Sequence, residues 1–342
     1  MAPADARWRL CTPPDRPGAI AILQIVGDID TVFRALGMPP VPLGDMRVRD
    51  LAGIDRGLVA RHRDDVLLLM PHGGAELVRQ LCGALTSAGI IHAATPSLRD
   101  RFPEAESDFA AALLETLARA VSPRAVDLLL DQPARWARRG TPAPSLDTPS
   151  PSPELSRTLD RLVVPPLIVA VGPSNVGKST LLNRLAGRSV AVIADEPGTT
   201  RDHVGSLIDL DGLIVRYVDT PGLRPDATGN ERAALAIAEP LQAAADLVLC
   251  LGDHDHPAPA APPGRESLSV ALRADLGPAK WTHDASVSAL TGDGMADLAV
   301  RLRRVLVPDE ALASREPWRF WGTIDPGAQQ EHGSGETRLP PR

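Results

Sequence analysis

The sequence predicts an α/β protein, in which a mostly parallel sheet with helices on both faces follows a small α+β domain. Two observations support this fold class. After residue 160, short apolar runs alternate with helical patterns, which is typical of parallel sheets buried on both faces. The first of these runs, residues 167–171, leads directly into a segment that fits the phosphate-binding pattern G-x-x-x-x-G-K-[ST]. That segment is Gly172-Pro173-Ser174-Asn175-Val176-Gly177-Lys178-Ser179-Thr180.

Hydrophobic periodicity and turn residues divide the chain further. In the first part, strands are predicted at 19–25 and 65–70, and helices at 75–88, 109–120 and 123–136. In the second part, strands are predicted at 167–171, 189–194, 204–210, 212–218, 246–252, 267–273 and 284–289, and helices at 180–187, 231–245 and 294–306. We therefore expect an α+β domain at 1–97, a helical segment at 98–138, a Pro/Ser-rich linker at 139–158, the α/β domain at 159–308 and a loosely ordered tail at 309–342. Within that tail, Trp318, Phe320 and Trp321 are candidate anchors.

The composition restricts the classes of function. A length of 342 residues is typical of two domains, and a formal net charge of −7 predicts no broad attraction to nucleic acid. Cys11, Cys82 and Cys250 are widely spaced without metal-type pairing, which indicates free thiols in a reducing compartment. No apolar run approaches the ~20 residues of a membrane span, and the N-terminus lacks the apolar segment of a signal peptide. We therefore expect a cytoplasmic protein without a membrane partner.

Lysine usage singles out the phosphate-binding loop. Lys178 and Lys280 are the only two lysines among 36 basic side chains, so arginine supplies nearly all other positive charge. Glycines in such a loop let backbone N–H groups surround phosphates, and the N-terminus of the following helix adds positive potential. A lysine reaches the β- and γ-phosphates as a compact point charge that the broad arginine fork cannot imitate. The loop is therefore a predicted nucleotide site, with Lys178 as a catalytic residue.

Two further motifs follow the loop in the order that a nucleotide hydrolase needs. The segment Pro197-Gly198-Thr199-Thr200-Arg201-Asp202 is either a plain turn or a switch whose hydroxyl completes a Mg²⁺ shell together with Ser179. The segment Val218-Asp219-Thr220-Pro221-Gly222 supplies a carboxylate that can hold Mg²⁺ through water and an amide that can contact the γ-phosphate. Nucleotide sites lie at the carboxyl ends of strands in such sheets. The ordered series predicts a P-loop GTPase domain.

The motif that would read the base is incomplete. Leu272-Arg273-Ala274-Asp275 stands at the end of the next apolar strand, where Asn-Lys-x-Asp is expected. Asp275 can accept hydrogen bonds from guanine N1–H and N2–H₂, or it can merely cap the strand end. Leu272 offers no amide to the base or to the phosphate-binding loop. Because Ser288-Ala289-Leu290 fits the final base-contacting loop, we expect a preference for guanine, with reduced affinity.

Together these motifs resemble the MnmE/TrmE family of tRNA-modification GTPases. The similarity is strongest over roughly residues 160–305 and extends to roughly residues 10–95. There, Thr12-Pro13-Pro14-Asp15-Arg16-Pro17-Gly18 and the turn His72-Gly73-Gly74 resemble the tetrahydrofolate-binding-like first domain of that family.

The resemblance implies GTP hydrolysis that depends on Mg²⁺, on K⁺ and on dimerisation of the G domains. Asn175 and Thr199 match the K⁺ ligands of the family, while Ser179, Thr200 and Asp219 match its Mg²⁺ site. Glu231 matches the residue that orients the attacking water, or it is an ordinary acidic residue in the first turn of a helix. The predicted nucleotide-binding residues are Gly172, Asn175, Val176, Gly177, Lys178, Ser179, Thr180, Thr199, Thr200, Asp219, Thr220, Pro221, Gly222, Asp275, Ser288, Ala289 and Leu290.

Departures from the family restrict what the resemblance implies. The C-terminal Cys-x-Gly-Lys box of the family, which is tied to modification of the tRNA wobble uridine, has no counterpart in this sequence. Gln24 and Leu68 stand where the family has an arginine and a carboxylate that contact formyl-tetrahydrofolate, which argues against folate binding. The helical domain is also reduced to residues 98–138 plus a short tail. We therefore expect a reduced and divergent relative.

Three functions are compatible with the sequence. The first is a GTPase that hydrolyses GTP with Mg²⁺ and is stimulated by K⁺. The second is a nucleotide-gated binding module, in which GTP changes conformation or dimerisation with little hydrolysis, and Leu272 favours this alternative. The third is a factor for tRNA wobble-uridine modification that acts with a flavoprotein partner, and the missing Cys-x-Gly-Lys box counts against it.

Overall fold

The structure, a computed structural model, describes residues 5–12, 18–94, 96–187, 205–219 and 240–324. The chain forms two compact units, residues 1–114 and 115–342. Within the described ranges, each unit contains a six-stranded sheet. The predicted strand at 189–194 and residues 231–239 of the predicted helix lie outside the described residues.

The first unit has an α+β fold. Its strands are β1 Arg7–Leu10, β2 Leu23–Val26, β3 Met46–Leu51, β4 Asp55–Arg63, β5 Val66–Met70 and β6 Ile91–His92, and its helices are α1 Ile29–Ala35, α2 Ala75–Ser87 and α3 Leu98–Arg101. The strand order is β3-β4-β5-β2-β1-β6, and every neighbouring pair is antiparallel except β1 with β6. Alternate side chains of β2 and β5 point into the core, where Leu23, Ile25, Leu67 and Leu69 are completely buried.

The second unit alternates strands and helices. Helix α4, Asp108–Arg119, includes the boundary between the units. The elements that follow are α5 Pro123–Leu130, α6 Gln132–Arg138, α7 Pro153–Asp160, β7 Leu167–Val171, α8 Lys178–Ala186, β8 Ser206–Leu210, β9 Leu213–Asp219, β10 Leu247–Gly252, β11 Ser267–Ala271, β12 Ala285–Ser286, α9 Met295–Leu306 and α10 Asp309–Ala313.

The sheet of the second unit has the strand order β12-β11-β10-β7-β9-β8. All neighbouring strands are parallel except β8 and β9, which form an antiparallel hairpin. Every residue of β7 and β10 is buried, as expected of central strands in a parallel sheet. The predicted α/β class with a mostly parallel sheet is confirmed, and β7, β9, β10 and β11 all point their carboxyl ends towards one edge.

The hairpin between β8 and β9 is held by a charged network around Asp211. Asp211 and Gly212 both have positive φ angles, of 53° and 80°, which suits a two-residue hairpin turn. The Asp211 carboxylate accepts hydrogen bonds from Arg124 of α5 and from the buried Arg303 of α9, each at 3.0 Å. The network fixes the amino end of β9, and Asp219, a predicted Mg²⁺ ligand, is the last residue at the other end of that strand.

In the predicted loose tail, residues 309–316 are exposed or half-buried, whereas residues 317–323, which include the candidate anchors, are largely buried. Trp318, Phe320 and Trp321 are buried, and the rings of Trp321 and Trp136 lie 5.4 Å apart. Burial of three aromatic side chains stabilises a short segment that lacks long helices. The structure differs from the predicted linker at 139–158, because α7 begins inside that segment, at Pro153. Arg319 donates hydrogen bonds to the Leu146 and Thr148 carbonyls of the same segment.

Asp160 makes this aromatic cluster sensitive to pH. Its Oδ1 accepts a 2.9 Å hydrogen bond from Trp318 Nε1. Burial raises the pKa of the Asp160 carboxyl to about 7, although the Trp318 hydrogen bond and the Arg319 charge oppose the shift. Because the folded pKa exceeds the unfolded value of about 4, the folded state binds more protons between these two values. Stability therefore falls as the pH rises from about 4 to about 7.

We expect Asp160→Asn to be more stable than the wild type at pH 8, by up to about 4 kcal/mol, because asparagine keeps an acceptor for Trp318 without a buried charge. The advantage should disappear near pH 4. Urea unfolding at both pH values measures it. Asp147→Asn, at an exposed position in the neighbouring segment, is the control and should show no such pH dependence. If Asp160→Asn and the wild type differed in stability by the same amount at both pH values, Asp160 would not be the cause of the pH dependence.

Candidate nucleotide site

The phosphate-binding loop joins β7 to α8 and turns on two residues with left-handed backbone. Asn175 has φ 66° and Gly177 has φ 108°, while Val176 between them is buried and fixes the loop to the core. Gly172 begins the loop where β7 passes β10, and a Cβ atom there would lie 2.4 Å from the Leu251 carbonyl oxygen. Glycine is therefore required at Gly172 by close packing and favoured at Gly177 by conformation.

Lys178 places its ammonium group inside the curve of the loop. The residue is 7% exposed, and Nζ donates hydrogen bonds to the carbonyls of Gly172, at 3.1 Å, and Pro173, at 2.9 Å. Burial lowers the pKa of Lys178, and the charge of Asp219 opposes that shift. Since α8 begins at Lys178, the lysine stands at a helix N-terminus, where positive potential adds to its own charge. This is the arrangement that binds phosphates.

Ser179 and Asp219 form a polar pair beside the loop. Ser179 Oγ donates a 2.9 Å hydrogen bond to Asp219 Oδ2. The second carboxylate oxygen, Oδ1, is buried and has no hydrogen-bond partner among the residues that the structure describes. A hydroxyl and a carboxylate with an unused buried oxygen are oxygen ligands of the kind that Mg²⁺ prefers. The residues therefore fit a magnesium ion that keeps several of its waters.

The residues that the sequence predicts to read the base come together after the ends of β11 and β12. Asp275 lies in a short 3₁₀ helix, Ala274–Leu276, and its Oδ1 accepts a 2.5 Å hydrogen bond from the buried Ser288 Oγ. The Ala274 N–H donates to the Val287 carbonyl at 3.1 Å, which joins the two loops through their backbones. These contacts orient the Asp275 carboxylate as an acceptor. Ala289 is half-buried and Leu290 is exposed at the end of the same loop.

Leu272 and Arg273 occupy the incomplete part of the base-reading motif. Leu272 is buried, and its Cδ1 lies 3.7 Å from where a Cβ of Gly177 would be, so it packs under the phosphate-binding loop. Arg273 has a left-handed backbone, with φ 57° and ψ 41°. Its Nη2 donates to the Asn175 carbonyl oxygen, and its Nη1 lies 3.3 Å from Asp253 Oδ2. Sequence reasoning did not assign a role to Arg273 or Asp253.

Asp253 is a buried carboxylate that directly follows β10. Its Oδ1 accepts hydrogen bonds from the backbone N–H groups of Asp255, at 3.0 Å, and His256, at 2.8 Å, and lies 3.0 Å from His256 Nδ1. Burial alone would raise the pKa of Asp253, but the hydrogen bonds from His256 and Asp255 together hold that pKa below its ordinary value. Asp253 is thus a fixed negative charge beside the site. Its position directly after an apolar strand is the signal that sequence reasoning could have used.

Six predicted site residues lie outside the described residues: Thr199, Thr200, Thr220, Pro221, Gly222 and Glu231. Thr180 lies in the first turn of α8 and is exposed. In the described ranges, no group of three or more His, Cys, Asp or Glu side chains could hold a metal ion.

In the first unit, the two positions that argue against folate binding face each other. Gln24 of β2 pairs with Leu68 of β5 in the sheet register. Gln24 is buried, and its Oε1 accepts a 2.5 Å hydrogen bond from Arg9 Nε. Nearby, His72 Nδ1 lies 3.0 Å from Asp55 Oδ1. The absence of folate binding stays a prediction.

Residues 167–273 match the model of a family described as 50S ribosome-binding GTPase. The mostly parallel sheet, the phosphate-binding loop with Lys178, and this match define a P-loop GTPase domain, as the sequence predicted.

Within that class, similar curated proteins include tRNA modification GTPases named MnmE. The protein of Acidiphilium cryptum is 46% identical over 149 residues, which cover 43% of this chain and 34% of the relative. A protein of Thermus thermophilus is 39% identical over 153 residues, which cover 44% of this chain and 34% of the relative. Over the matched residues the chain is thus similar to MnmE proteins, as the resemblance of its motifs indicated. It spans about a third of the length of these relatives.

Solved structures of other GTPases are also similar. Era of Aquifex aeolicus has a TM-score of 0.33 and 26% identity, covering 41% of this chain and 56% of Era. The G domain of FeoB from Methanococcus jannaschii has a TM-score of 0.31 and 18% identity, covering 41% of this chain and 97% of that domain. Within the part of the chain that the structure describes, no helix is long and apolar enough to cross a bilayer.

Gly172→Ala tests the close approach of β7 and β10. The added Cβ would clash with the Leu251 carbonyl oxygen, so the loop or the strand must shift. We expect a loss of stability of about 1–3 kcal/mol and a loss of GDP affinity of about tenfold or more. Thermal unfolding and calorimetric titration with GDP and Mg²⁺ measure the two effects.

Gly83→Ala is the matched control for this substitution. Gly83 lies inside α2, and a Cβ there would meet no heavy atom within 4 Å. Alanine is the better helix former, so stability should stay equal or rise by up to about 1 kcal/mol. Unchanged GDP affinity in Gly172→Ala would show that this packing does not shape the loop.

Proposed function

We propose that this protein binds GTP and GDP and hydrolyses GTP to GDP and inorganic phosphate in the cytoplasm. The proposal rests chiefly on the Lys178 ammonium, which is held inside the phosphate-binding loop beside the Ser179–Asp219 pair. It is supported by the match to a GTPase family and by relatives that are named as GTPases. Activities, substrates and partners of the whole relatives are proposals for this chain, because it spans about a third of their length.

The loop residues have distinct roles in binding the phosphates. In the structure, Lys178 Nζ donates hydrogen bonds to two carbonyls at 3.1 and 2.9 Å. When a nucleotide binds, β- and γ-phosphate oxygens would replace these carbonyls as acceptors. The backbone N–H groups of the loop and of the first turn of α8 would surround the β-phosphate. Ser179, Thr200 and Asp219 would hold Mg²⁺, which would supply positive charge to offset the negative charge of the phosphates.

Hydrolysis would proceed by attack of water on the γ-phosphate. Glu231 would orient that water, and Asn175 and Thr199 would hold a K⁺ ion that offsets negative charge on the phosphates, as an arginine does in other GTPases. The exposed position of Asn175 at the outer turn of the loop supports this role. Dimerisation through the G domain would complete the site. Asp275 and Ser288 would select guanine.

A nucleotide-gated binding module is the second candidate function. The observation that favours it is Leu272, which packs under the loop and cannot donate an amide to the base. A role in tRNA modification is suggested only by the names of the relatives, and a flavoprotein partner only by the resemblance of the sequence motifs to that family. Single-turnover hydrolysis of GTP, measured together with dimerisation, separates the first two. Restoration of the modified wobble base in a strain that lacks its own family member tests the third.

Lys178→Ala should weaken binding of GTP and GDP by about a hundredfold or more, because a buried ammonium is replaced by a methyl group at the phosphates. Calorimetric titration in potassium buffer with Mg²⁺ measures the affinity. Lys280→Ala removes the only other lysine, which is exposed, and should bind as the wild type does. Retention of full affinity by Lys178→Ala would refute the site assignment.

Replacing KCl with NaCl should lower the rate of GTP turnover by about tenfold or more, because the cation contributes charge stabilisation in the transition state. GDP affinity, measured in both salts, should change much less. In Asn175→Ala, the turnover rates in the two salts should become similar. Equal wild-type rates in both salts would remove potassium from the mechanism.

A further inference from the structure

We propose that the hydroxyl of Tyr217 holds Asp219 through a shared buried water molecule, so that Tyr217 is a positioning residue for the predicted Mg²⁺ site. The inference rests on the proposed binding of a guanine nucleotide with Mg²⁺. It deepens that function by assigning a role to the single tyrosine of the chain, which lies two residues before a predicted ligand of the metal.

The first support is that Tyr217 and Asp219 lie on the same face of β9. Side chains alternate along a strand, and Val218 between them points into the core cluster that contains Cys250. The side chains of Tyr217 and Asp219 therefore point to the opposite face. Ser179 of α8 donates its hydrogen bond to Asp219 there, so this is the face of the sheet on which α8 lies.

The second support is the surroundings of the tyrosine hydroxyl. Tyr217 is 1% exposed, and its Oη is buried without a hydrogen-bond partner among the residues that the structure describes. On β7, Ile168 pairs with Tyr217 and Ala170 with Asp219, and both of these neighbours have apolar side chains. Burial of a hydroxyl without a partner costs free energy that a phenylalanine of nearly the same shape would not lose. A tyrosine at this position therefore indicates a partner for its hydroxyl.

The third support is that Asp219 carries the complementary group on the same face. Its Oδ1 is also buried and has no partner within the described ranges, while Oδ2 accepts from Ser179. A tyrosine hydroxyl can donate, and an ionised carboxylate only accepts. Burial, and after it the negative charge of Asp219, raise the pKa of Tyr217, so the hydroxyl stays protonated as a donor.

A single water molecule can serve both of these oxygen atoms. Residues two positions apart on a strand have Cα atoms about 7 Å apart, which suits a bridge through water better than a direct hydrogen bond. Buried water characteristically joins polar groups that lack other partners. The bridge would fix Oδ1 while Ser179 fixes Oδ2, so the carboxylate would meet the metal in one orientation. Each carboxylate oxygen has two acceptor sites, so Asp219 would still be able to hold Mg²⁺.

Titration of MgCl₂ into the complex with a non-hydrolysable GTP analogue tests the inference. In Tyr217→Phe, we expect the dissociation constant for Mg²⁺ to rise about tenfold, as for other groups that orient a metal ligand. Affinity for the nucleotide in EDTA should stay that of the wild type, and calorimetry measures both quantities. Because the hydroxyl acts only through the carboxylate, Tyr217→Phe should weaken Mg²⁺ binding no further in an Asp219→Asn background.

The single tyrosine also gives a direct spectroscopic readout. In protein labelled with ¹³C at the tyrosine Cζ, one resonance reports on Tyr217 alone. We expect this resonance to move when Mg²⁺ is added to the nucleotide complex, because the hydrogen bond of the hydroxyl changes when Asp219 takes up the metal. In Asp219→Asn at saturating Mg²⁺, the change should be much smaller.

Thr323→Val is the matched control. Thr323 is also buried, and its hydroxyl donates a 2.8 Å hydrogen bond to the Phe320 carbonyl, after the end of α10. This substitution likewise removes one buried hydroxyl, so it should lower the melting temperature without changing the dissociation constant for Mg²⁺. An equal loss of Mg²⁺ affinity in Thr323→Val would identify general destabilisation as the cause and would overturn the inference.

The outcomes separate this inference from the proposed function. A wild type that does not bind the GTP analogue with Mg²⁺ would refute the proposed function itself. A wild type that binds both, with an unchanged dissociation constant for Mg²⁺ in Tyr217→Phe, would refute only the role of Tyr217. If Tyr217→Phe does not fold, the wild-type resonance decides the question, and a resonance that Mg²⁺ leaves unmoved rules that role out.

Discussion

The nucleotide site depends on the register of three parallel strands. Ala170 of β7 pairs with Asp219 of β9, and Val171 pairs with Cys250 of β10, so all three strands end near the same edge of the sheet. Backbone hydrogen bonds and complete burial of β7 make this register difficult to change. Because Gly172 must pass within contact of Leu251, the loop can begin only here. Asp219, the last residue of β9, and Asp253, directly after β10, then lie at this same edge.

This register also explains which elements could be predicted from the sequence. Strands β7 and β10 are continuous apolar runs, and the predicted bounds are the same for β7 and differ by one residue for β10. Strands β3 and β4 were missed because arginines and aspartates interrupt their apolar positions at a sheet edge, where most β3 side chains are exposed. Helix α7 was missed because it begins at Pro153, directly after a run of prolines and serines. Local propensity cannot show that the aromatic residues after 318 pack near it.

The residues of the candidate site likewise divide into those that a sequence motif identifies and those that only the structure reveals. Gly172, Lys178, Ser179 and Asp219 act through local backbone geometry, so a short motif identifies them. The contact of Arg273 with Asn175 joins residues 98 positions apart, and it requires both a left-handed turn and the end of a third strand at Asp253. No pattern along the chain shows that combination. The sequence therefore does not reveal the contacts that join the predicted base-reading motif to the phosphate-binding loop.

The chain uses arginine for nearly all of its positive charge. A comparison of the surroundings of Arg273 and Lys178 shows why Lys178 is an exception. At Arg273, the side chain is 43% exposed and bridges two acceptors on different elements, which suits a broad fork. At Lys178, the acceptors are the adjacent carbonyls of Gly172 and Pro173, and the residue is 7% exposed inside a tight loop. The broader guanidinium of an arginine at this position would displace the backbone of the phosphate-binding loop. Loop geometry therefore required lysine at 178, whereas the open bridge at 273 accepts arginine.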